Sequence, residues 1–193
     1  MTEDYRILEG QLRECFGRVV YTHKTQEICA DRLLERHKRI KVLQIILSAL
    51  VTGGIFTTLL DQWRVVATSV SAVLSTILLA LNTYSKDHDL GELAQKHRQA
   101  ASDIWLIREK YLSLLADLRS GSKLPEDCRS VRDALLAELH ASYAGAPSTN
   151  FKAYKKAQNA LKAAEDMTFS DTEIDAFLPK ELKRQGSNPA EAA

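Results

Sequence analysis

Two stretches of the chain carry no charge. Residues 42–60 read VLQIILSALVTGGIFTTLL and residues 65–84 read VVATSVSAVLSTILLALNTY, with only DQWR at 61–64 between them. At 1.5 Å of rise per residue, each run forms a helix of about 28–30 Å, the thickness of a bilayer's hydrocarbon core. A helix satisfies its own backbone hydrogen bonds, so both runs can cross lipid. The short turn forces them antiparallel, and the pattern predicts a transmembrane hairpin. The competing reading is a soluble bundle with two central helices buried on every side, but consecutive uncharged runs of bilayer length are rare in a chain of this size.

The flanks set an expected orientation. Arg32, Arg36, Lys38, Arg39 and Lys41 precede the first run, and Lys86, Lys96 and Arg98 follow the second. The turn holds one Arg and one Asp. Basic residues collect on the cytoplasmic side, so both termini are expected in the cytoplasm and the turn outside. Trp63 and Tyr84 stand where interfacial aromatics anchor a span. MTEDYRILEG lacks the basic and then apolar order of a secretory signal, so the internal runs are expected to direct insertion.

Polar residues within the spans are segregated. On a helical wheel Thr68, Ser69, Ser71, Ser75, Thr76, Asn82 and Thr83 share one side of the second run, with Val65 and Leu79 intruding. Val66, Val70, Val73, Leu74, Ile77 and Leu81 share the other. The first run has a shorter line, Gln44, Ser48 and Thr52. Small hydroxyl residues and glycines let helices approach closely, so the stripe reads as a packing face of the hairpin or of an oligomer. The second reading of the stripe is the lining of a water-filled path once several copies assemble, and one ring could serve both. Neither span contains Asp, Glu, Lys or Arg, which disfavours an ion-coupled transporter.

Outside the spans the period is helical. Leu8, Leu12, Cys15 or Phe16, and Val19 mark one face of residues 5–41, and Leu33-Leu34 continues it weakly. Within 85–120, Leu93, His97, Ala100, Ile104, Ile107, Tyr111, Leu114 and Leu118 form a heptad-like seam. It can pack on the chain's own N-terminal helix or on another copy, as a coiled coil would. Ser120-Gly121-Ser122 and Pro125 stop this helix. Short helices are expected over 125–182: residues 125–143, residues 151–166, and one after a capping box at 170–173. A disordered tail is expected at 183–193. The fold class is all-α: a two-helix transmembrane hairpin with long cytoplasmic amphipathic helices packed as a bundle.

Composition narrows the function. Lys and Arg total 26 and Asp and Glu 25, a net charge of +1, so bulk electrostatics gives no reason to expect direct nucleic-acid binding. Lys155-Lys156 reads as a solvated face, and the run at 36–41 as a topology signal that also meets anionic lipid headgroups. The three cysteines match no metal or redox spacing, and the five histidines are dispersed. Asp87-His88-Asp89 is a loose cluster better read as solvated flank than as a metal site. No catalytic or phosphate-cradling motif is present, so neither an enzyme nor a cofactor is expected.

The helix–hairpin–helix order, the segment HRQAASDIWLIREKYLSLLADL at 97–118 with its Trp105, Arg108 and Tyr111, and the tail AYKKAQNALKAAEDMTFSDTEIDAFLP at 153–179 resemble the SLATT family. The similarity spans about residues 5 to 182 and carries no binding-site motif. It implies a two-transmembrane effector of bacterial conflict systems, encoded beside a nucleotide-signalling enzyme, a nucleotide sensor or a reverse transcriptase. The implied action is assembly into a homo-oligomer that permeabilises the membrane after phage infection is sensed, with dormancy or death of the cell. The alternative is a membrane-anchored helical scaffold or interaction protein.

Overall fold

The computed structural model describes residues 3–57 and 64–163, which hold five helices and no strand. The turn residues 61–63 with Trp63, the capping box at 170–173 and the tail at 183–193 lie outside the described residues. The first helix, α1 (Glu3–Thr57), is a single 55-residue rod of about 80 Å. It runs without a break from the amphipathic segment into the first apolar run. Glu3 and Asp4 sit in its first turn, where carboxylates favour the positive end of the helix dipole. The second helix, α2 (Arg64–Asp87), returns alongside it, and after two residues α3 (Leu90–Ser120) departs.

Asp89 sets the start of α3: its Oδ1 accepts the Glu92 N–H at 2.9 Å. Gly121 ends it at φ 70°, a left-handed conformation that glycine adopts without strain, and its N–H closes on the Leu118 carbonyl. The fourth helix, α4 (Pro125–Gly145), begins with proline at its first turn, where a missing N–H costs nothing. The fifth, α5 (Phe151–Ala163), follows a short loop and is capped by Asn150, whose Oδ1 accepts the Ala153 N–H.

The extramembrane core forms where α3 packs along the N-terminal half of α1. Leu8, Leu12 and Val19 meet Ile104, Ile107, Tyr111, Leu114 and Leu118, and α4 adds Cys128 and Leu135. The seam of α3 therefore finds its partner in α1 of the same chain. One position departs from the expected seam. Leu93 is 38% exposed, and its neighbours Leu90 and Ala94 take the buried places. Polar ties fix the register: Tyr5 donates to the Leu118 carbonyl at 2.8 Å, Arg129 reaches Asp4 at 2.6 Å, and Tyr143 donates to Thr22 Oγ1 at 3.0 Å.

Candidate functional site

The apolar halves of α1 and α2 are long enough to span a bilayer and almost uncovered. Their most apolar 18-residue windows have mean hydropathies of 1.6 and 1.9, and only 6% of either window is buried by the rest of the protein. A central helix of a soluble bundle would be mostly covered. Instead Ile45, Phe56, Val65 and Leu79 project outward, each about two-thirds exposed or more. Burying one such side chain is worth about 1.5–3 kcal/mol. A row of them held in water would outweigh the stability of an ordinary domain, so these helices need lipid.

Within the hairpin a narrow seam holds the two helices together. Ile40, Gln44, Leu47, Val51 and Gly54 of α1 face Ala67, Ser71, Leu74, Leu78 and Leu81 of α2. Gly54 lies directly against Ser71, and a Cβ on Gly54 would collide with Ser71 Oγ. Gln44 donates to Asn82 Oδ1 at 3.0 Å and to Ser85 Oγ at 3.1 Å, tying the other end of the seam. Gly54→Leu is expected to splay the hairpin and destabilise it by about 1–3 kcal/mol through overpacking. Ser71→Ala should be harmless alone, because its buried hydroxyl makes no hydrogen bond, and should recover part of the loss in the double variant. Thermal unfolding in detergent, with spin-label distances between α1 and α2, checks this.

Of the polar residues singled out in the spans, only Gln44 and Ser71 belong to the seam. Ser48, Thr52, Thr68, Ser69, Ser75, Thr76 and Thr83 are exposed outside it, and Asn82 stands at its edge, reached by Gln44. They also stand apart from the outward apolar sector of Val66, Val70, Val73 and Ile77, so α2 has three faces. Ser48 and Asn82 line the same outer groove, beside Gln44. Thr52 lies one turn beyond Ser48 on α1, and Ser75 two turns before Asn82 on α2, on the same helix faces as those two residues. The hydroxyls of Thr52, Thr68, Thr76 and Thr83 each donate to the carbonyl four residues back, at 2.8–3.0 Å. These bonds let the hydroxyls sit at membrane depth without an unsatisfied donor.

The basic flank meets the end of α2. Arg36 donates to the Tyr84 hydroxyl at 3.2 Å, and Tyr84 stacks on His88 with ring centroids 4.8 Å apart. Arg39 pairs with Glu35 at 3.4 Å, while Lys38 and Lys41 are exposed. Of the trio in α3, Tyr111 is fully buried, Trp105 is 47% exposed, and Arg108 is bonded to Glu109. The three therefore do not form one site. Asp89 is used as a helix cap, and among the described residues no group of three or more His, Cys, Asp or Glu is placed to hold a metal ion.

A buried polar layer lies beneath the hairpin, where the seam position His97 meets Gln26 of α1. Gln26 is 3% exposed; its Oε1 accepts from His97 Nδ1 and its amide donates to the Pro147 carbonyl at 3.3 Å. His23, one turn away, is buried as well. The steps 19, 23, 26 and 30 on α1 continue the heptad spacing and were the available signal. Burial holds both histidines below their ordinary value of 6.5, with Glu27 partly opposing this at His23. Each is neutral in the fold and takes up a proton more readily when unfolded. Their contribution is thus complete above about pH 6.5 and is lost as pH falls below it. Unfolding temperature should therefore drop between about pH 7.5 and 5.5. His97→Gln should reduce that drop, as calorimetry at the two pH values would show.

Two helices long and apolar enough to cross a membrane, seated on a helical bundle of the same chain, define a membrane protein. A family model for the SMODS and SLOG-associating 2TM effector domain, family 4, matches residues 8–173, and the chain belongs to this SLATT family. Searches of curated proteins and of solved structures return no significant match.

Proposed function

We propose that the chain is the membrane effector of a bacterial anti-phage system, which oligomerises and permeabilises the inner membrane when triggered. What supports this reading is the polar sector of α2, set apart from its outward apolar sector, with Ser48 of α1 and Asn82 of α2 in one groove. A two-helix ribbon in lipid gains nothing from a polar side, whereas a ring of such ribbons can turn that side inward around water. A single hairpin encloses no path, so the reading requires several copies. The basic flank supports a cytoplasmic position for both termini, where the bundle of α1, α3, α4 and α5 would meet a partner protein or a signal from the same system. The chain acts in this scheme without catalysis.

The rival is a tether that holds the bundle at the membrane. Replacing residues 42–84 with an unrelated two-span hairpin separates the two. Growth arrest on expression with the neighbouring genes of its system should disappear in the exchanged chain, although the protein still reaches the membrane. Arrest that persists would identify the hairpin as an anchor only.

A further inference from the structure

Beside the entry of α1 into the membrane, a cleft of about 590 Å³ opens between α1, α3 and the loop joining α4 to α5. That volume suits a small organic ligand. Arg32, Arg36 and Arg39 reach it from one face of α1, at i, i+4 and i+7, and only Glu35 opposes them with a negative charge. From the loop come Ser148 and Asn150. Asn150 caps α5, so the positive end of this 13-residue helix also lies at the cleft. The remaining lining adds no charge of the opposite sign. Burial keeps the Cys29 thiol protonated, and His97 is engaged with Gln26 through Nδ1. Leu33 and Leu93 supply apolar surface.

Guanidinium groups arrayed on one wall with hydroxyl and amide groups from a loop match the oxygens of a phosphate, which arginine binds bidentately. Arg36 has a second role, because it donates to the Tyr84 hydroxyl at the end of α2. An occupant that draws Arg36 into the cleft competes with that bond, so ligand binding and the position of α2 are linked. We infer that this cleft binds a phosphate-bearing anion, and that its occupancy is passed to the hairpin through Arg36 and Tyr84. The inference stands on the cleft and not on the pore reading. The phosphate can belong to an anionic lipid headgroup or to a soluble phosphorylated compound.

The test uses the full chain in nanodiscs of phosphatidylcholine, titrated calorimetrically with inorganic pyrophosphate, and again in discs containing phosphatidylglycerol. Saturable binding in the first discs is expected. It should weaken at least about tenfold in Arg32→Gln/Arg36→Gln and also in Ser148→Glu, which leaves α1 untouched. The charge-matched control Arg18→Gln/Arg119→Gln, away from the cleft, should bind normally. Binding lost in the phosphatidylglycerol discs identifies the lipid headgroup as the occupant, and binding retained there identifies a soluble one. Tyr84→Phe frees Arg36 and should tighten binding; unchanged affinity would overturn the link to the hairpin. Absence of saturable binding, or binding unaffected by both cleft variants, would overturn the site.

Discussion

Tyr111→Ala is expected to destabilise the extramembrane bundle by about 3–5 kcal/mol, whereas Tyr111→Phe should leave it unchanged or stabilise it by about 1 kcal/mol. Among the described residues Tyr111 is the largest fully buried side chain, in one cluster with Leu8, Leu12, Ile107 and Leu114. Truncating it opens a cavity that three helices cannot close together. Its hydroxyl, however, is buried without a hydrogen-bond partner. The Cys15 thiol lies close enough to perturb it but outside hydrogen-bond geometry, and a thiol is a weak partner in any case. Burial, helped by Cys15, pushes the phenol up to about 12, so it stays protonated at physiological pH. Denaturant unfolding of the detergent-solubilised chain measures both variants. A Phe variant as unstable as the Ala variant would show that the hydroxyl makes an essential bond.

The second large effect concerns insertion. Val73 and Ile77 lie one turn apart on the outward apolar face of α2, 60% and 46% exposed from the protein. A charged residue at the centre of a span costs about 2.5–3.5 kcal/mol on insertion scales. Val73→Asp with Ile77→Lys should therefore remove the chain from the carbonate-resistant membrane fraction, even if the two charges partly pair at i, i+4. The buried core of α1 and α3 contains neither residue, so the bundle should keep its helical circular dichroism. Retention of the double variant in the membrane at the level of the intact chain would mean that this face does not meet lipid.

Much of this architecture is legible along the chain, for identifiable reasons. The hairpin announces itself through length and absence of charge, two signals that need no knowledge of partners. The end of α3 is visible because Gly121 and Pro125 act locally. The seam of α3 follows from its period, except at Leu93, where a one-residue rotation places Leu90 and Ala94 inside. Other features depend on contacts between distant segments. A helical wheel separates polar from apolar residues on α2 but does not say which sector faces α1. The close fit of Gly54 against Ser71 decides that, and it lies between the two sectors. Gln26 and His23 look like solvent-facing residues until His97 and the carbonyl of Pro147 are brought to them. The arginine cleft is likewise invisible as such in a run that reads as a topology signal. It exists only because the α4–α5 loop crosses beside α1.

The most direct test of the central claim is membrane potential, read with a voltage-sensitive dye in bacteria expressing the chain alone and with its neighbouring genes. The intact chain is predicted to depolarise the cells in at least one of these conditions. A variant with Thr68→Leu, Ser75→Leu and Thr76→Leu should reach the membrane and leave the potential intact, since its polar side can no longer line water. Equal depolarisation by the variant, or none by the intact chain in either condition, would contradict a pore built from this hairpin.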